Sequence, residues 1–127
     1  MPGPIRLQRI ADRIREDISE LLLREIRDPR LRGVYVTDVR IDRELRYADI
    51  YVSTVDGSQR SREVLEGLEA SSGFIRHILT ENIHLRTFPR LRFHWDDTPQ
   101  RAEHIEKLLR EIREKSHQDG GDGSTNL

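Results

Sequence analysis

An α+β domain, built from a three-stranded sheet with helices on one face, is the fold class this sequence predicts, and three observations predict it. Several segments repeat apolar residues at three- and four-residue steps, as amphipathic helices do. Three shorter segments are rich in β-branched or aromatic residues, and their side chains alternate between two faces, as in strands. Proline and glycine stand between these segments, where such elements have to end.

Leu7, Ile10, Ala11, Ile14, Ile18, Leu21, Leu22 and Ile26 place one apolar stripe on a long first helix. Asp28-Pro29 ends it, because proline disfavours helical geometry in the residue before it. Gly33 turns the chain into the β-branched run 34–41, whose apolar positions change parity from Val34 and Val36 to Val39 and Ile41. Either both faces are partly covered or a bulge lies near Thr37-Asp38, and the bulge is the expectation. After a polar turn at 42–46, residues 47–55 carry Ala48, Ile50 and Val52 on one face, as a half-buried antiparallel strand should, so the two strands form a hairpin. Asp56-Gly57-Ser58 breaks that pattern.

Val64, Leu65 and Leu68 predict a short helix that stops near Ser71-Ser72-Gly73, and Phe74, Ile75, Ile78 and Leu79 predict another directly after it. Pro89 introduces a third strand with Leu91, Phe93 and Trp95 turned inward and Arg92 and His94 on the other side. Thr98-Pro99 reads as an N-cap followed by proline at the first position of a last helix, faced by Ile105, Leu108, Leu109 and Ile112. Residues 116–127, SHQDGGDGSTNL, offer one apolar residue and are expected to be disordered, which leaves a single domain over residues 1–115.

With 127 residues the chain is long enough to bury one real core. It has no cysteine, so disulfides and thiolate metal sites are excluded, and no apolar run approaches the roughly 20 residues of a membrane helix. The start MPGPIRLQRI lacks the apolar stretch of a secretory signal, so the cytoplasm is the expected location. A net charge of −1 argues against binding polyanions by bulk charge, and any such binding has to come from distribution. Of 22 basic residues only Lys107 and Lys115 are lysines, a skew that suits bidentate phosphate contacts but that a GC-rich coding sequence would also produce.

Distribution singles out residues 71–95, which hold Arg76, Arg86, Arg90, Arg92 and three histidines against one acid, Glu81. Small residues at Ser71-Ser72-Gly73 would let a nucleic-acid backbone approach, and a helix starting near Phe74 would aim free amides at a phosphate with Arg76 close by. The plainer reading is a helix corner with Ser72 as an ordinary N-cap. Arg90, Arg92 and His94 alternate on the third strand and with Arg86 form either a basic stripe or the solvated side of a sheet. Arg6, Arg9 and Arg13 share the polar side of the first helix, where Glu16, Asp17 and Glu20 offer them local ion pairs, so they are the weaker candidates.

Catalytic readings find little support. His77 and His84 are seven apart, not the four that places two metal ligands on one helical turn, and Asp96-Asp97 before a helix is where acids favour its positive end. There is no phosphate-binding glycine loop and no GxSxG, so neither a catalytic residue, a metal nor a cofactor is expected.

The strings LLLREIRDPRL (21–31), RYADIYVS (46–53), SSGFIRHIL (71–79) and RTFPRLRFHWDD (86–97), in that order over about residues 5–112, together resemble bacterial ribosome-binding factor A. The resemblance implies a type II KH-like fold in α-β-β-α-α-β order, with the C-terminal helix added. It also implies a non-catalytic role in late maturation of the small ribosomal subunit, through binding of 16S rRNA, with an association with growth in the cold. Members replace the usual GxxG loop by a helix-kink-helix with an Ala-x-Gly signature, and Ser71-Ser72-Gly73 keeps the glycine with serine in place of alanine. The expected partners are thus the small subunit and its RNA, with the protein a monomer and neither membrane nor small-molecule substrate involved. A general KH-type RNA-binding protein and a protein-interaction module are the alternatives.

Overall fold

The computed structural model describes residues 2–123. Helix α1 spans Pro4–Arg24, strand β1 Val34–Ile41, strand β2 Tyr47–Thr54, helix α2 Ser61–Asn82, strand β3 Arg90–Trp95 and helix α3 Thr98–Gly123, with 3-10 turns at Pro29–Leu31 and Ser58–Arg60. The described residues form two compact units, which divide between Asp96 and Asp97.

In the first unit the sheet has the order β1-β2-β3. β1 pairs antiparallel with β2, and the register slips by one residue between Val36 and Asp38. That is the bulge the change of parity predicts, and it keeps Val34, Val36, Val39 and Ile41 on one side of the sheet. β3 joins the other edge of β2 in parallel, with Ala48 opposite Leu91, Ile50 opposite Phe93 and Val52 opposite Trp95. Parallel neighbours need a crossover, and α2 supplies it.

The helices cover the apolar side. Ile14 and Ile18 of α1, Ile50 of β2, and Leu68, Ile75 and Leu79 of α2 are fully buried together. Each such side chain contributes roughly 1.5–3 kcal/mol on leaving water. Leu91, Phe93 and Trp95 are half-buried and pack against this core, and the Trp95 Nε1–H donates to Ser58 Oγ at 3.2 Å, so the inward face expected of β3 is observed.

Between α1 and β1, Asp28 caps the 3-10 turn: its Oδ1 accepts the Arg30 N–H at 2.9 Å, and its Oδ2 accepts the Arg30 side chain at 2.7 Å. This sets Arg30 and Leu31 against Gly67 of α2, where a Cβ would stand 3.0 Å from Leu31 Cδ2 and 3.1 Å from Arg30 Cβ. The β1–β2 turn is held by Asp42, whose Oδ1 accepts the N–H groups of Arg46 at 2.9 Å and Tyr47 at 2.7 Å. Leu45 within it takes the left-handed φ of 56°.

One expectation is corrected. The helical segments between β2 and β3 meet at Arg60/Ser61, where a 3-10 turn leads into α2, and not at Ser71-Ser72-Gly73, which lies inside one continuous helix. Buried residues on both sides of it, Val64, Gly67 and Leu68 before and Ile75 and Leu79 after, form a single stripe on the core, so packing carries the helix through three residues of modest propensity. In the second unit α3 starts at Thr98, has Pro99 in its first turn and runs to Gly123; residues 124–127 of the stretch expected to be disordered lie outside the described residues.

Candidate nucleic-acid interface

The predicted site residues divide into those that meet and those that do not. Ser72, Gly73 and Arg76 on one face of α2 line a groove of about 310 Å³ with Arg90 at the start of β3; Glu69 and Leu91 complete it. β3 is an edge strand, and α2 crosses beside that edge, which is why residues far apart in sequence meet there. Ser72 is not an N-cap: its hydroxyl donates to the Glu69 carbonyl at 2.8 Å, one turn back along α2. Gly73 is exposed and helical, with nothing within 4 Å of a Cβ built on it. No helix begins at Phe74, so the amides expected to seat a phosphate are consumed within α2. Arg76 lies in mid-helix, its Nη2 reaching the Phe88 carbonyl at 3.5 Å with the guanidinium 5.9 Å from the Phe88 ring centre.

A second cleft of about 640 Å³ adjoins the first, and Arg90 lines both. It gathers Arg86, from the segment between α2 and β3, with Arg6 in the first turn of α1 and with Arg46. Arg46 was missed in the sequence because it closes a polar turn; it comes to the cleft through the Arg90 N–H, which donates to the Arg46 carbonyl at 2.8 Å across the parallel pair. Among the described residues Arg6, Arg46, Arg86 and Arg90 have no ion-pair partner.

Arg92 behaves differently. Its Nε and Nη2 donate to Asp49 at 2.8 and 3.0 Å, and its guanidinium sits 3.9 Å from the Tyr47 ring centre. His94 Nε2 lies 2.7 Å from the same carboxylate and stacks on Tyr51. The basic stripe expected on β3 is therefore neutralised past Arg90 by an acid on the neighbouring strand. The Arg92 guanidinium holds the Asp49 carboxyl below the usual carboxylate range, burial opposes this, and the His94 hydrogen bond adds to it. Arg13 pairs with Asp17 at 3.2 Å, as local spacing suggests, while Ser71, Arg9 and Arg13 line neither groove.

Among the described residues no cluster of His, Asp or Glu suits a metal ion, and no helix is long and apolar enough to cross a membrane. What the geometry offers is a run of unpaired guanidinia beside an open helix face, suited to holding successive phosphates.

The family model described as Ribosome-binding factor A matches residues 6–109. A protein of that name from Sorangium cellulosum is 43% identical over 114 residues, covering 87% of this chain and 91% of the relative. Among solved structures, the solution structure of a Thermotoga maritima protein described as a putative ribosome binding factor A has a TM-score of 0.64 at 31% identity, covering 74% of this chain and 90% of the other. A homology model of Thermus thermophilus ribosome binding factor A, fitted into the cryo-EM map of a 30S complex with that factor, has a TM-score of 0.57 at 22% identity, covering 69% and 93% of the two chains.

Proposed function

Because the chain belongs to the ribosome-binding factor A family, we propose that it binds the small ribosomal subunit through 16S rRNA during late maturation. It acts there as a cytoplasmic monomer and by occupancy, with no chemical step and no cofactor. The domain recognises RNA shape and phosphates at an immature site, holds one arrangement, and leaves when the mature arrangement excludes it. Correct 16S rRNA processing follows from the arrangement held. In the cold, where trapped RNA structures escape slowly, such holding matters most.

The observation that carries this reading is the pair of grooves meeting at Arg90, which collects Arg6, Arg46, Arg76 and Arg86 on a chain whose net charge is −1. Such clustering gives polyanion binding that bulk charge cannot. Co-sedimentation with purified small subunits tests it. Wild type should pellet with the subunits, the combined Arg76→Ala and Arg90→Ala variant should remain largely in the supernatant, and nuclease treatment should release the wild type. Recovery that survives nuclease and both substitutions would favour a protein docking surface instead.

A further inference from the structure

We propose that the larger cleft, bounded by Arg6, Arg46, Arg86 and Arg90, is a seat for a single-stranded RNA segment that takes one unstacked base against its floor and the flanking phosphates on its rim.

Two independent features of the cleft point to this ligand class. The rim carries four guanidinia and one carboxylate, Glu44. Arg6 stands in the first turn of α1, which contains no acid, so the positive end of that helix is left uncompensated on the same side. The floor is apolar and aromatic: Leu45 and Leu85 are half-buried, Phe88 is buried, and the Tyr47 ring is backed by the Arg92 guanidinium at 3.9 Å. Leu45, in the left-handed conformation of the β1–β2 turn, packs against the core and lends its apolar side chain to the lining of the cleft. A duplex presents its phosphates without exposing a base face, and would leave such a floor empty. A single strand satisfies rim and floor together, as in sites that pair a positive groove with apolar platforms.

The inference rests on the RNA-binding reading above and adds a ligand class and a location. The probe is a labelled pentauridylate, followed by fluorescence anisotropy with the full chain. Wild type should bind with an affinity that falls as salt rises. Arg46→Ala with Arg86→Ala should weaken binding at least tenfold and flatten the log–log salt slope by roughly 1.4, at about 0.7 for each phosphate contact to a single strand. Both side chains are exposed, so the circular dichroism melt should match wild type. A pentamer with an abasic central position should bind more weakly than pentauridylate, and oligoglutamate should compete poorly. Equal binding by the double variant, equal binding of the abasic strand, or competition by oligoglutamate as effective as by RNA would each overturn the proposal. Small-subunit co-sedimentation, run in parallel, separates the two claims. Cleft-dependent oligonucleotide binding without subunit association would defeat the ribosomal reading and leave the cleft standing, whereas subunit association without oligonucleotide binding would defeat the cleft alone.

Discussion

Arg90 and Arg92 are two residues apart on one strand and face the same way, yet their surroundings give them different roles. Arg90 lines both grooves with no ion-pair partner among the described residues, whereas Arg92 is committed to Asp49 and Tyr47. Arg90→Ala should therefore weaken small-subunit association and leave the melting temperature near wild type, while Arg92→Ala should lower the melting temperature with the smaller effect on association. Thermal melts and sedimentation of the two single variants check this contrast. Asp49 adds a dependence on pH. Its pKa is lowered in the folded state, first by the Arg92 hydrogen bond, so its contribution is fully present above the unfolded carboxylate value of about 3.9 and is lost as pH falls through the lower folded value. The stability gap between wild type and Asp49→Asn should close as pH falls below about 4. Urea unfolding of both proteins from pH 7 to pH 2 measures it, and a gap that persists undiminished at the acid end would contradict the pairing. None of this was legible along β3, because the neutralising acid sits on β2 and meets Arg92 only through the parallel register.

At the scale of the element, α2 separates two glycines by environment. Gly73 is exposed with open space where a Cβ would stand, so Gly73→Ala should stabilise by about 1 kcal/mol through helix propensity alone. Gly67 faces Leu31 and Arg30 at 3.0–3.1 Å, so the same gain is opposed by overpacking of about 1–3 kcal/mol. The Gly73→Ala protein should thus exceed the Gly67→Ala protein in stability by that margin in denaturant unfolding. Gly73→Ala should nonetheless reduce subunit association if an RNA backbone comes as close to α2 as the groove allows. The periodicities of α1, α2 and α3 were readable, and so was the bulge in β1, since both depend on which way neighbouring side chains point. The continuity of α2 was not, because serine and glycine read as a break when the core beneath them is invisible. On α3 the predicted apolar stripe is present, and Ile105, Leu108, Leu109 and Ile112 are all exposed: a period identifies a helix without saying what covers it.

For the whole molecule the decisive quantity is where charge gathers, since net charge is nearly zero. Affinity for small subunits should fall steeply with salt, by a log–log slope of about 0.7–0.9 for each phosphate contacted, and removing Arg76 and Arg90 should lower that slope by roughly two such increments. A flat titration of the wild type would mean that the grooves do not hold RNA. The sequence by itself determined the α+β class, the hairpin with its bulge, the inward face of β3 and the family, because these rest on local alternation and on ordered strings of residues. It also pointed to Arg76, Arg86 and Arg90, by local excess of base over acid. Tertiary structure alone decided that β3 runs parallel to β2, that Arg6 and Arg46 join the arginines of the strand, and that Asp49 withdraws Arg92 from them. The physical reason is one of range: backbone geometry fixes each side chain's direction within a few residues, whereas charges cancel or reinforce across the few ångströms between elements that only the packed core brings together.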